Sequence, residues 1–285
     1  FPARNPSGKE GIVHRSIKKL QKCALRAIDG EIGRCKDFLF DDRHWYVRYL
    51  LADTRKWLPG RKVLVPPPLL GNPHLEDRLL PVGLTREEIR QSPPLEADEP
   101  VSRKYEKKWF DYYRLPYYWV GPGGFGAAPN SVPLRDFPAP LPEDVMPRPQ
   151  EGPDPEETTS LRSADEVIGY RAGAVDGEIG HIEDLIVDDV TWRIDYTVVD
   201  TRNWLPGEKV VLLPSMVQQI SWPEETVQFD RTREAIETAP GYDPSRELTG
   251  AFRRALEQHY RLGPWKAAGG GGSKQRPDAA GKDRM

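Results

Sequence analysis

The pentapeptide DGEIG at residues 29–33 returns unchanged at residues 176–180. The octapeptide DTRKWLPG at 53–60 returns as DTRNWLPG at 200–207. Both recurrences share one offset, 147 residues, so whatever fold the first segment adopts the second must be able to adopt too. Laid without gaps, 29–67 and 176–214 agree at 20 of 39 positions. The match extends outward: Arg15-Ser16 meets Arg162-Ser163, Thr85-Arg86-Glu87 meets Thr232-Arg233-Glu234, and Tyr113-Arg114-Leu115 meets Tyr260-Arg261-Leu262. A unit of about 100 residues is a domain rather than a solenoid repeat. The chain is read as a duplicated domain, with repeat 1 over 15–119 and repeat 2 over 162–266.

The first half of each repeat reads as strands. Asp29-Gly30 and Asp176-Gly177 are hairpin signals between apolar runs. The segment WRIDYTVVD at 192–200 alternates, placing Trp192, Ile194, Tyr196 and Val198 on one face. Pro59-Gly60 and Pro206-Gly207 close turns. The second half reads as helices. Thr85 with Glu88 fits a capping box, whereas Thr232 has Ala235 three residues on and caps alone. Val101, Tyr105, Trp109 and Tyr113 form a fourfold stripe, as do Leu248, Phe252, Leu256 and Tyr260, with Pro100 and Pro244 at the expected helix starts. The expected fold class is mainly β with C-terminal helices.

Proline marks the connector. Ten of the 35 residues over 121–155 are proline, a composition that favours extended chain. The segment 120–161 is therefore read as a linker, 1–14 as a flexible N-terminus and the glycine-rich 267–285 as a disordered tail. No stretch reaches the roughly 18 apolar residues of a membrane span. Two cysteines, Cys23 and Cys35, are too few for a disulfide framework and suit a reducing setting. The expected location is the cytoplasm, with the periphery of the inner membrane as the alternative.

The two long matched segments, 29–67 and 176–214, resemble PRC-barrel domains. The family takes its name from the cytoplasmic domain of the photosynthetic reaction centre H subunit, and also includes the C-terminal domain of a bacterial ribosome maturation factor. The DG turn, the D-x-x-W strand start and the W-L-P-G turn carry the likeness twice, across about 200 of the 285 residues. The resemblance implies two small β-barrels. It also implies a docking, scaffold or regulatory role with another protein as partner, and neither catalysis nor a cofactor. An RNA- or ribosome-associated assembly factor is the alternative.

A search for chemistry agrees with that reading. The five histidines have no i, i+4 companion and no cysteine at zinc-ligand spacing, and no metal site is expected. There is no phosphate loop and no nucleophile elbow, so no catalytic residue is assigned. The acid pairs Asp41-Asp42 and Asp188-Asp189 lie between strand patterns and read as turns, as do Asp53 and Asp200. Trp45 and Trp192 read as core. Trp57 and Trp204, in the W-L-P-G turns, either pack back over a barrel end or form a docking surface. Cys23 and Cys35 flank the first hairpin in near-symmetric, cross-strand positions and read as two small buried hydrophobes, with a thiol switch as the alternative.

Charge separates the copies. Repeat 1 has 21 basic and 15 acidic residues over 15–119, a net +6, and repeat 2 has 11 and 19 over 162–265, a net −8. Opposite charge predicts intramolecular pairing of the two barrels. It also leaves repeat 1 able to meet nucleic acid or an anionic membrane surface.

Overall fold

The computed structural model describes residues 13–59, 61–94, 101–113, 115, 161–201, 209–244, 246 and 248–261. The expected linker, the tail, nearly all of the N-terminus and Trp204 lie outside them. The architecture is mainly β, with two sheets and a few helices. Repeat 1 supplies β1 (His14–Ser16), α1 (Ile17–Leu20), β2 (Ala24–Ala27), β3 (Gly30–Asp41), β4 (Tyr46–Asp53), β5 (Val63–Val65), β6 (Leu79–Pro81), α2 (Arg86–Gln91) and α3 (Arg103–Tyr113). Repeat 2 supplies β7 (Leu161–Ser163), α4 (Ala164–Val167), β8 (Arg171–Ala174), β9 (Gly177–Asp188), β10 (Ile194–Asp200), β11 (Lys209–Leu212), β12 (Val217–Ser221), β13 (Thr226–Phe229), α5 (Arg233–Glu237) and α6 (Gly250–His259).

One sheet runs β5-β4-β3-β2-β6 and the other β11-β10-β9-β8-β13-β12. Neighbours along each path are antiparallel except β2–β6 and β8–β13. Each sheet also takes its first strand from the other repeat. β1 pairs with β9, Ser16 lying opposite Ile186, and β7 pairs with β3, Ser163 opposite Leu39. After α1 the chain returns to its own sheet as β2, and after α4 it returns as β8. The two repeats thus exchange strands reciprocally within one chain.

The second glycine of DGEIG explains its place. Gly33 and Gly180 have φ of +127° and +128°, and a Cβ on either would lie 1.9 Å from the carbonyl oxygen of Asp53 or Asp200. Only glycine lets β3 and β4, or β9 and β10, approach so closely there.

The helices follow the capping signals. Thr85 and Glu88 form a complete capping box, and Thr232 caps α5 through the Ala235 amide alone. α3 and α6 start three and six residues beyond Pro100 and Pro244, because Ser102 and Thr249 accept the Tyr105 and Phe252 amides. α3 lies on β4 of its own repeat, with Trp109 against Tyr49 at 5.9 Å. The alternation expected in β10 is not seen: all seven of its residues are buried. α6 covers the outward face, with Arg253 reaching Asp195 at 3.0 Å and standing over the Tyr196 ring.

Candidate functional site

The repeats meet where β4 and β10 begin. Trp45 and Trp192 precede these strands, both buried and both at positive φ. The Val47 amide donates to the Trp192 carbonyl at 2.8 Å, and the Ile194 amide donates to the Trp45 carbonyl at 2.7 Å. These residues are matched at offset 147, so the bonds form a two-fold-related pair. Trp192 also stacks on Phe38 of repeat 1, with centroids 5.8 Å apart.

The repeated acids hold the exchanged strands. Ser16 donates to Asp184 at 2.5 Å, and the Lys18 amide donates to the same carboxylate. Ser163 donates to Asp37 at 2.6 Å, and the Asp165 amide joins it. Arg15 pairs with Asp189 at 2.9 Å, and Arg162 with Asp42 at 3.0 Å. The first acid of each pair closes its turn: Asp41 accepts the Arg43 amide and Asp188 the Val190 amide, each two residues on. Turn formation therefore accounts for one acid of each pair, and the second holds an arginine of the other repeat.

Burial and partners pull these carboxyls in opposite directions. Burial raises Asp37 and Asp184 against their hydrogen bonds from serine and backbone amides. At Asp195 burial also acts upward. Bonds from His14 and Arg193, with the charges of Arg193 and Arg253, outweigh it and hold the group at about 2. His14 is itself a crossing contact, its Nε2 lying 3.1 Å from Asp195 of repeat 2.

Trp57 packs back over the far end of its sheet. Its Nε1 donates to the Ile32 carbonyl at 2.8 Å, and Arg86 and Arg90 stand over the ring at 5.0 and 5.9 Å. Exposed Arg34, Lys36, Arg55 and Lys56 surround this end. Arg55 is held by Asp53.

Cys23, just before β2, and Cys35, on β3, are buried free thiols, the Cys35 amide donating to the Cys23 carbonyl. Burial pushes both thiols up, Cys35 most strongly.

Sequence spacing did not bring together His181, Glu183 and Asp200, whose ligand atoms lie within 4.8 Å of one another on β9 and β10. The i, i+2 spacing of the first two in a strand was the available signal. Lys18 and Lys209 already pair with Glu183, so positive charge is supplied from within. They hold its carboxyl below the ordinary range although burial acts upward. A cleft of about 400 Å³ lies between the repeats, with Arg43, His44 and Trp45 facing Ser215, Gln218 and Gln219.

No protein-family model matches the chain, and no curated protein matches it.

Proposed function

We propose that the chain is a non-catalytic docking or scaffold protein of the PRC-barrel kind, resembling the cytoplasmic domain of the reaction centre H subunit, with another protein as its partner. The observation that carries this reading is the reciprocal strand exchange, which holds the two repeats in a fixed relation. The residues that look chemical in the sequence support it as well. Of the paired acids, one closes a turn and the other grips a crossing arginine, and the cysteines are buried with raised thiols. The docking surface is assigned to the Trp57 end of repeat 1, and the location to the cytoplasm or the inner-membrane periphery.

A second reading rests on the same end. Arg86 and Arg90 on Trp57, with exposed Arg34, Lys36 and Lys56, suit phosphate contacts in RNA. Cross-linked affinity capture from the native host, wild type against Arg34→Glu/Lys56→Glu, separates the two. The docking reading expects one protein retained by the wild type and lost from the variant. Enrichment of RNA with a steep salt dependence favours the second reading. A protein set unchanged by the variant contradicts both.

A further inference from the structure

The ends of the two repeats remote from the junction are built alike and charged oppositely. β3 runs toward the junction from Gly30, and β4 runs away from it to Asp53. The β2–β3 hairpin, the 53–59 turn and α2 gather at the far end of repeat 1. The Arg86 amide donates there to Asp29 at 2.8 Å, and Arg61 donates to the Arg90 carbonyl at 2.8 Å. Repeat 2 has the same joint, the Arg233 amide donating to Asp176 at 2.8 Å.

The tip of each hairpin exposes an apolar side chain. Ile28 and Val175 are each 57% exposed, and with Tyr112 they are the exposed large hydrophobics among the described residues. The charge around the tips differs sharply. Arg34, Lys36 and Arg90 of repeat 1 are replaced at offset 147 by His181, Glu183 and Glu237. These three positions carry five of the fourteen charges that separate +6 from −8. Glu178, Glu234 and Glu237 are exposed at the acidic end.

We infer that copies of the chain associate head to tail, the Ile28 end of one seating on the Val175 end of the next. An apolar centre within a rim of complementary charge is the anatomy of a protein interface. Like ends repel, so the contact is heterologous and propagates into open chains. Exposed ion pairs are individually weak and screened by salt, so assembly requires low ionic strength and high concentration.

The test is sedimentation velocity of the full chain at roughly 0.01 M and 1 M salt, between which the screening length falls from about 30 to 3 Å. The sedimentation coefficient is expected to rise with protein concentration at low salt and to stay monomeric at high salt. Lys36→Glu/Arg90→Glu places repeat 2 residues at matched positions and makes both ends acidic. Glu178→Lys/Glu237→Arg makes both ends basic. Each variant, with wild-type circular dichroism, is expected to be monomeric alone, and the equimolar mixture is expected to associate. A wild type that is monomeric at low salt overturns the inference, as do variants that assemble like the wild type or a mixture that does not associate. A monomeric wild type leaves the docking reading standing, because that reading is tested against other proteins.

Discussion

Trp45 and Trp192 face each other across the junction in left-handed backbone conformations, φ 61° and 58°, and each carbonyl accepts an amide from the strand that follows the other. A positive φ is unusual for a bulky residue and persists only where the surroundings hold it. Here the holding contacts come from both repeats: each tryptophan amide donates to the carbonyl of Asp41 or Asp188 of its own repeat, and each tryptophan carbonyl accepts from the other. Trp192→Ala removes the stack on Phe38 and opens a cavity in the junction. Its expected cost is about 3–5 kcal/mol, read as a lower urea midpoint with an unchanged slope.

Asp37 accepts Ser163 and the Asp165 amide, both from repeat 2. Asp37→Ala leaves these donors without their acceptor in a partly buried place. The expected loss is about 2–3 kcal/mol. Ser163→Ala removes one of these donors together with the cap of α4, and is expected to cost about 1–2 kcal/mol. Chemical denaturation of both variants checks the order, with the aspartate change the larger.

Acid should weaken the fold through Asp195. Its folded value of about 2 lies below the unfolded value near 3.9. The stability it contributes is therefore complete above the unfolded value and is lost as pH falls from about 4 to 2, a change on the order of 2 kcal/mol. Asp41 is held low in the same sense. Asp37 and Asp184 act oppositely, because their raised folded values oppose ionisation as pH rises. Stability measured between pH 5 and pH 2 is expected to fall less steeply in Asp195→Asn than in the wild type.

The thiols should be slow to react. Cys23 and Cys35 are buried, and burial raises both above the ordinary thiol range, so little thiolate is available. Labelling with a disulfide reagent near pH 8 is expected to follow global unfolding, with both sites modified together in urea. Fast native labelling of either cysteine would show an opening that the fold does not have.

The hairpins, the caps of α2 and α5 and the turn role of Asp41 and Asp188 were legible in the sequence, because each rests on contacts a few residues apart, whereas the caps of α3 and α6 at Ser102 and Thr249 were not. The strand exchange was not. Arg15-Ser16 and Arg162-Ser163 recur visibly, and so do Asp37 and Asp42 with Asp184 and Asp189, but nothing local says which copy of the acid each serine meets. That choice is made by packing across more than a hundred residues. The second glycine of DGEIG was equally opaque, since its need appears only when Asp53 or Asp200 is brought against it. Trp57 was legible as a turn residue, and its contacts with Arg86 and Arg90 depend on where α2 docks.

The reciprocal exchange is tested most directly by backbone nuclear Overhauser contacts in the full chain at low concentration and high salt. Contacts are expected between residues 14–16 and 186–188, and between 161–163 and 39–41. Contacts joining 14–16 to 39–41, each repeat pairing with its own first strand, would contradict it.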